Sequence, residues 1–210
     1  MFRDYWDRFY AKPHPELQEP SPFARFCLDK IPADGDLFEL GCGNGRDALY
    51  FARNGVTVTA CDQSTTAIER LTAIVASSDG WRVAPRFIVR RFEDLADDGP
   101  YAVIYSRFTL HTVDGPTASD ALRWAHRNLA SGGSLLIEAR TVKDALHGMG
   151  EPAGRDAYIH DGHYRRFVRT EELTEELEAL GFAIDQVVEG NGMATFGSDD
   201  PVVVRAVASR

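Results

Sequence analysis

A glycine-rich turn and a carboxylate are spaced in this sequence as a nucleoside-binding site requires. Residues 37–47, LFELGCGNGRD, read as an apolar strand, a turn and the start of a helix, and the turn contains Gly41, Gly43 and Gly45. Glycine tolerates positive φ and has no Cβ to keep a ligand away from backbone N–H groups, which at a helix start favour an anion. Asp62 lies 21 residues after Gly41, where a carboxylate binds ribose in nucleotide-binding α/β folds. The pattern predicts a nucleoside that carries an anionic group.

The glycine spacing and Glu39 distinguish two kinds of nucleoside. A dinucleotide fingerprint is G-x-G-x-x-G, and this sequence has Arg46 where the third glycine belongs. Glu39, two residues before Gly41, would oppose a pyrophosphate but attract an ammonium group. A nucleotide-dependent oxidoreductase is therefore the weaker alternative.

The pattern E-x-G-x-G-x-G, from Glu39 to Gly45, resembles motif I of class I S-adenosylmethionine (SAM) methyltransferases. The resemblance implies SAM as the cofactor and S-adenosylhomocysteine (SAH) as its product. Glu39 suits the amine, the glycine turn the carboxylate, and Asp62 the ribose diol. In that family an aromatic and an acidic side chain flank the adenine, at the place of Phe92-Glu93-Asp94; a solvated acidic loop is the competing interpretation. The cofactor-binding residues expected are Glu39, Gly41, Cys42, Gly43, Gly45, Asp62, Gln63, Phe92, Glu93, Asp94 and Ser106.

The methyl acceptor is expected beyond the fourth predicted strand, where Ser106, Arg107 and His111 follow its carboxyl end. Enzymes that methylate DNA bases share an Asn/Asp-Pro-Pro-aromatic tetrad at this point, and Ser106-Arg107-Phe108-Thr109 differs from it, so nucleic acid is not expected as a partner. Methyl transfer depends chiefly on aligning donor and acceptor, and a general base is needed only for a protonated nucleophile. His111 and His163 are the predicted catalytic residues. A SAM-binding protein without turnover is the alternative that an activity assay would distinguish.

Residues 140–169 are too long for a plain connection and predict an insertion that binds the acceptor. Their arginines favour an anionic acceptor oxygen, of a carboxylate, phosphate or phosphonate, with a sugar or natural product as the other possibility. Pairing of Arg165 and Arg166 with surface acids is the competing interpretation. His160 and His163 lack a third ligand at metal-site spacing, so no metal is predicted. The acceptor-binding residues expected are Tyr5, Trp6, Tyr10, Arg107, Arg140, Tyr158, Tyr164, Arg165 and Arg166.

Two further stretches resemble particular methyltransferases. Gly43-Asn44-Gly45-Arg46 with Leu49-Tyr50 resembles the tellurite-resistance enzymes. The Tyr5-Trp6 start and His163-Tyr164-Arg165-Arg166-Phe167 resemble tailoring methyltransferases of surface polysaccharide or natural-product clusters. Both are small single-domain types, which implies one domain over residues 1–210.

The predicted elements alternate as an α/β fold requires. Residues 1–20 predict an aromatic helix followed by prolines, which either packs on the domain or closes over the cofactor as a lid. Helices are also predicted from Ser21-Pro22, from Arg46, after Ser64 or Thr66, from Pro116 to a stop at Ser131-Gly132-Gly133, and after a Thr170 cap. Strands are predicted at 37–40, 56–61, 86–91, 102–105, 134–139, 182–188 and 202–208. The order predicts a Rossmann-like, doubly wound, mostly parallel seven-stranded sheet with one antiparallel strand and a C-terminal β-hairpin.

Composition limits the partners. The net charge of −9 disfavours a long polyphosphate partner. The charged N-terminus lacks a signal peptide's apolar core, and no apolar run reaches the length of a membrane span. Cys27, Cys42 and Cys61 are odd in number and lie in apolar surroundings, which predicts buried thiols in a reducing cytosol. A cytoplasmic protein with a small-molecule substrate is expected, and its oligomeric state is left open.

Overall fold

A computed structural model describes residues 3–12 and 19–210, so the predicted proline break at Pro13 and Pro15 lies outside the described residues. The helices are α1 (Arg3–Tyr10), α2 (Pro22–Leu28), α3 (Arg46–Arg53), α4 (Thr65–Ala76), α5 (Gly115–Asn128) and α6 (Thr170–Ala179). The strands are β1 (Asp36–Leu40), β2 (Thr57–Asp62), β3 (Arg86–Val89), β4 (Tyr101–Arg107), β5 (Leu129–Arg140), β6 (Glu151–Gly154), β7 (Ala157–His160), β8 (His163–Arg166), β9 (Ala183–Gly190) and β10 (Val203–Ser209). A single 3₁₀ turn covers Phe92–Asp94.

One seven-stranded sheet has the order β3-β2-β1-β4-β5-β10-β9. Strands β1 to β5 pair in parallel, and β10 lies antiparallel between β5 and β9. The predicted mostly parallel sheet with a C-terminal hairpin is confirmed. This topology brings the carboxyl ends of β1, β2 and β4 to one edge, beside the point where the strand order reverses.

The sheet is buried on both faces, which explains its continuous apolar runs. Successive β1 residues point to opposite sides. Phe38 packs with Trp124 of α5 in one cluster, and Leu37 packs with Phe51 of α3 in the other. Cys27, Cys42 and Cys61 are buried free thiols, as predicted.

Side-chain caps fix where the helices begin. Ser21 accepts a hydrogen bond from the Ala24 N–H and precedes proline at the first position of α2, as predicted. Ser64, rather than Thr66, caps α4 by accepting from the Ala67 N–H. The prediction for Thr170 was wrong by one residue, since Arg169 occupies the cap position of α6.

The predicted helix stop at Ser131-Gly132-Gly133 was wrong. Helix α5 ends at Asn128, and β5 begins at Leu129. The Gly132 N–H donates to the Arg210 carbonyl at 2.8 Å, and the Arg210 N–H donates to the Gly133 carbonyl at 3.0 Å. The glycines therefore continue the pairing of β5 with the chain end.

Residues 140–169 contain regular structure that the sequence analysis missed. They form a separate antiparallel sheet of order β6-β7-β8, with four residues in each strand. Strands this short show no clear periodicity. Asp161 and Gly162 connect β7 to β8 with φ of 53° and 71°, and Asp-Gly is a strong hairpin signal. That dipeptide would have predicted the hairpin.

Candidate active site

A cavity of about 710 Å³ lies at the carboxyl ends of β1, β2 and β4. Its lining includes many predicted ligand-binding residues: Trp6, Tyr10, Glu39, Gly41, Cys42, Gly43, Asp62, Gln63, Phe92, Glu93, Arg107, Arg140 and Tyr164. The other predicted residues do not line it: Tyr5, Gly45, Asp94, Ser106, His111, Tyr158, His163, Arg165 and Arg166. Several residues that were not predicted to bind a ligand also line the cavity, among them Phe9, Arg46, Phe108, Val113, Ile159, Phe196 and Asp199.

The glycine turn closely fits its neighbours. Gly41, Gly43 and Gly45 have φ of 68°, 54° and 77°. A Cβ on Gly43 would overlap the Tyr10 hydroxyl, and a Cβ on Gly45 would overlap the Leu71 side chain. Gly43 therefore faces the cavity, whereas Gly45 faces the core.

Glu39, in β1, is a buried carboxylate without a full set of partners. It is 4% exposed, and its Oε2 has no hydrogen-bond partner among the described residues. Burial raises its pKa well above the ordinary value, and the nearby Asp47 and Asp62 raise it further. A cation in the cavity would satisfy this carboxylate.

Asp62, at the end of β2, is held rigidly at the turn. One of its oxygens accepts from the Gly43 N–H at 2.9 Å, and the other accepts from the Ser64 N–H at 2.8 Å. Burial raises the Asp62 pKa although these bonds oppose the shift. Each carboxylate oxygen retains acceptor capacity for a hydroxyl donor in the cavity.

The 3₁₀ turn forms the adjoining wall. Phe92 and Glu93 line the cavity. Asp94 instead accepts from the Arg91 Nε at 2.7 Å. One aromatic and one acidic side chain therefore face the cavity here.

Phe108 begins the opposite wall with a strained backbone. Its φ is 56°, a value that residues other than glycine rarely adopt. Its N–H donates to the Glu138 carbonyl at 2.8 Å. The guanidinium carbons of Arg107 and Arg140 lie 4.2 and 5.6 Å from its ring centroid. These contacts and the hydrogen bond hold the ring in the cavity wall.

Arg140, the last residue of β5, is fully ion-paired. Its side chain bonds both oxygens of the buried Asp144, at 3.0 and 3.2 Å, and also bonds Asp199. Asp199 belongs to the connection between β9 and β10, which also contributes Ala194 and Phe196 to the cavity lining.

Arg165 and Arg166 of β8 lie outside the cavity lining. Arg166 donates to the carbonyls of Leu110 and Val113 at 3.1 and 3.4 Å. It therefore fastens the insertion to the segment after β4. The Arg165 Nη2 lies 3.4 Å from the His163 Nδ1.

The two predicted catalytic histidines are both buried. The His111 Nδ1 accepts from the Arg140 N–H at 3.4 Å, and its ring centroid lies 5.2 Å from that of Phe108. The His163 ring stacks on Tyr5 at 5.1 Å and contacts Trp6 edge-on at 4.9 Å. Burial lowers the pKa of both, that of His163 to about 4, and Arg165 and Arg140 lower them further. Both rings are therefore neutral at pH 7.

Helix α1 connects the two sides of the cavity. Its Asp7 accepts from the Ser64 Oγ at 2.6 Å, and the carbonyl of Tyr10 accepts from Arg70 at 2.6 Å. At the other side, Tyr5 and Trp6 contact His163. The aromatic spacing thus corresponds to a packed helix that also lines the cavity.

No group of three or more His, Cys, Asp or Glu side chains within residues 3–12 and 19–210 could hold a metal ion. Within the same residues, none of the helices is both long and apolar enough to cross a membrane.

A family model described as a methyltransferase domain matches residues 14–187. No protein of curated function matches the sequence significantly. Among solved structures, a SAM-dependent methyltransferase from Methanosarcina mazei aligns at TM-score 0.77 and 17% identity, over 88% of this chain and 96% of that chain. A glycopeptide N-methyltransferase in complex with SAH aligns at TM-score 0.71 and 17% identity, over 91% and 90%. The 1,6-didemethyltoxoflavin-N1-methyltransferase of Burkholderia thailandensis aligns at TM-score 0.68 and 18% identity, over 93% and 78%. At these identities the structural likeness shows the fold.

Proposed function

The chain belongs to the methyltransferase-domain family and is a SAM-dependent methyltransferase, and from that premise we propose that its acceptor is an uncharged, ring-bearing small molecule of the natural-product type, methylated on oxygen or nitrogen. When bound, the cofactor would supply the methyl group from its sulfonium and leave as the neutral thioether SAH, and the protein would align the acceptor with that methyl group. Glu39 would bind the cofactor's ammonium and Asp62 its ribose hydroxyls.

The ion pairing of Arg140 carries the proposal. Two of the predicted acceptor-binding arginines line the cavity, and both are ion-paired: Arg140 with Asp144 and Asp199, and Arg107 with Glu138. An acceptor carboxylate or phosphate would have to displace one of those partners or share the guanidinium with them. Arg165 and Arg166, which the sequence analysis expected to bind the anion, do not line the cavity. The anionic version of the acceptor prediction is therefore less well supported than the natural-product version.

The shape and chemistry of the acceptor side support a ring. Rings and aliphatic side chains surround it: Phe108, Val113, Ile159, Tyr164 and Phe196. Such a lining packs against the apolar surface of a ligand, while a few polar groups fix the orientation of that ligand. We propose that residues 140–169 form the acceptor wall and that the segment 1–20, through α1, acts as a lid.

Neither His111 nor His163 lines the cavity, so the geometry does not require a histidine to abstract a proton from the acceptor. His111 lies behind Phe108 and retains the role of candidate base for a hydroxyl acceptor. The contacts of His163 with Tyr5 and Trp6 favour a positioning role for it. An acceptor with an unprotonated nitrogen would need neither.

A matched pair of ligands tests the acceptor class. Methyl 3,4-dihydroxybenzoate and 3,4-dihydroxybenzoate share a ring and differ in one charge. Their affinities for the SAH-loaded protein, measured by calorimetry, should favour the ester by about tenfold or more, since a buried anion without a free cation is costly. Tighter binding of the acid would contradict the proposal.

The variant Asp199→Asn extends that test. Removing one partner from Arg140 should shift the preference toward the acid, whereas Asp200→Asn removes the same charge from the same connection outside the lining. Equal shifts in both variants would show a general charge effect rather than a role for the Arg140 pair. Turnover is measured separately, as the SAH formed from SAM in the presence of the preferred ligand type and quantified by chromatography.

A further inference from the structure

Phe108 combines a bulky side chain with a left-handed backbone conformation. Of the non-glycine residues in the part of the chain that the structure describes, three have positive φ: Phe108 at 56°, and Asp156 and Asp161 at 53°. The two aspartates lie in the turns on either side of β7, where a short polar side chain tolerates this conformation. An aromatic residue does not, so glycine would be less costly at position 108. The strained backbone therefore points to a role for the ring.

The Phe108 ring is held by two cations that are themselves fixed. The guanidinium carbons of Arg107 and Arg140 lie 4.2 and 5.6 Å from its centroid, within the range of cation–π contacts. Arg107 donates from Nε to Glu138 at 2.8 Å, and Arg140 bonds both oxygens of Asp144. The Glu138 carbonyl also accepts from the Phe108 N–H at 2.8 Å. Because each cation is ion-paired, neither can move away from the ring without losing its carboxylate.

Phe108 lies between the two proposed sides of the cavity. The next residue, Thr109, lies against the glycine turn, since a Cβ on Gly41 would overlap its Cγ2. On the other side, the carboxylate partners of Arg140 come from the insertion and from the connection before β10. Phe108 itself is half-buried and lines the cavity. A ligand ring against Phe108 would therefore lie at the boundary between the proposed cofactor and acceptor sides.

A fixed and half-exposed aromatic ring recognises another aromatic ring. Aromatic pairs adopt offset-stacked or edge-to-face arrangements that depend on the quadrupole of both rings, and a saturated ring has no such quadrupole. Since the Phe108 ring is already ordered, a contact with it costs little further conformational entropy.

We propose that Phe108 is a specificity-determining residue of the acceptor site, whose ring packs against a planar aromatic acceptor and selects it over a saturated ring. The inference rests on the proposed function, and it narrows the acceptor from a ring-bearing molecule to an aromatic one. A planar acceptor held against a fixed ring has few orientations, so Phe108 would also position the nucleophile relative to the methyl group.

Two neutral ligands that differ in ring saturation provide the test. Methyl 4-hydroxybenzoate and methyl trans-4-hydroxycyclohexanecarboxylate share the ester, the hydroxyl and a six-membered ring. Calorimetry on the SAH-loaded protein should show that the parent prefers the aromatic ester by roughly 2- to 10-fold. Phe108→Leu should lose most of that preference, Phe108→Tyr should keep it, and both should change the SAH affinity by less than about threefold. The readout is the change in the affinity ratio, because the hydration of the two free ligands is the same for every variant.

A second pair of variants separates the ring from the backbone. Phe108→Gly and Phe108→Ala both remove the ring, but only glycine adopts positive φ without strain. The glycine variant should therefore have the higher midpoint of urea unfolding, and both variants should lack the preference for the aromatic ester. Phe196→Leu is the control for the lining, because it removes an exposed ring of the same cavity. It should weaken both esters to a similar extent and leave their ratio near that of the parent.

Several results would overturn the inference. An unchanged ring preference in Phe108→Leu would exclude the contact, and loss of the preference in Phe196→Leu alone would assign it to Phe196. If Phe108→Leu weakened SAH as much as the aromatic ester, the ring would belong to the cofactor side. An alanine variant at least as stable as the glycine variant would show that the backbone at 108 is not strained.

The charge test of the proposed function remains separate. If the acid of the earlier pair binds more tightly than its ester, the ring comparison is made with 4-hydroxybenzoate and its saturated counterpart. The preference for charge and the preference for an aromatic ring therefore succeed or fail independently.

Discussion

At the scale of single residues, the site combines groups that are unstable in isolation. Glu39 is buried with an unpartnered oxygen, and Phe108 holds a left-handed backbone conformation. Each is costly to the folded protein, and such features concentrate at functional sites. Substituting such a residue should therefore affect the stability of the protein and its ligand binding differently.

Glu39→Gln is the first such prediction. The amide removes a buried charge, so urea unfolding of the ligand-free protein should show equal or higher stability. The same change should weaken SAH by about 1.5–3 kcal/mol through the lost bond to its ammonium. The buried and doubly paired Glu138 is the contrasting position, where Glu138→Gln should destabilise. A Glu39→Gln variant that loses stability without losing SAH affinity would contradict the prediction.

His111 gives a second prediction, in the pH dependence of the rate. Burial and the charges of Arg165 and Arg140 lower its pKa, so the neutral form persists below the ordinary value of about 6.5. If His111 is the base, kcat/KM should remain level through pH 6.5 and fall only at lower pH. His111→Gln should then lose about 10²–10⁴-fold in rate. An acid limb centred at pH 6.5 that persists in the variant would exclude the role.

Single residues also show what sequence could predict. Ser21-Pro22 and Asp62 were predictable because a cap, a fixed proline φ and a strand-end carboxylate are local signals. Phe196 and Asp199 were not, because only the pairing of β10 between β5 and β9 brings their connection to the cavity. Arg140 was assigned to an acceptor because its partners lie 4 and 59 residues away in sequence.

At the scale of elements, α1 and β8 form one unit through Tyr5, Trp6 and His163. The structure places α1 against α4 on one side and the insertion on the other. A ligand that contacts Trp6 and Tyr10 should therefore stabilise the whole helix.

Hydrogen exchange tests that lid prediction. Amides in Arg3–Tyr10 should exchange more slowly when SAH is bound, while those in α6, which contributes no residue to the cavity lining, should not change. Equal protection in α6 would indicate a general stabilisation. Unchanged exchange in α1 would mean that this helix only packs on the domain and does not act as a lid.

Acid should weaken the contact between α1 and β8. The His163 pKa of about 4 lies below the value of about 6.5 expected in the unfolded chain. Between those values the unfolded chain binds a proton that the folded chain does not, so stability present above pH 6.5 is lost as the pH falls. The loss should approach about 3 kcal/mol near pH 4. His163→Phe keeps a ring against Tyr5 without titrating, and urea unfolding should show a shallower slope in that variant; an unchanged slope would assign the effect to other groups.

At the scale of the whole molecule, the two proposed sides of the cavity come from different parts of the fold. The proposed cofactor side comes from β1, β2 and the turns that follow them, and these were predictable from local sequence. The proposed acceptor side comes from the insertion and the connection between β9 and β10. Because its strands are short and its contacts are distant in sequence, the insertion was predictable but its sheet was not.

Ligand binding should be visible as a global change in melting temperature. At a SAH concentration of about 100 times the Kd, mass action adds about 2.7 kcal/mol to the free energy of unfolding. For a chain of this size, that corresponds to roughly 5–11 °C in Tm. Glu39→Gln at the same SAH concentration should show a smaller shift, and a shift with NAD but not with SAH would contradict the cofactor assignment.

The position of Arg140 has a consequence for how this protein could acquire new acceptors. It terminates β5, and its two carboxylate partners come from the two connections that wall the proposed acceptor side: Asp144 from the insertion and Asp199 from the turn before β10. Neither connection supplies the cofactor's predicted contacts. Either one could therefore be exchanged for that of a relative while the donor half of the site is kept, provided that the graft retains a carboxylate for Arg140. A graft without one would leave a buried cation, and the protein would then select acids in place of neutral rings.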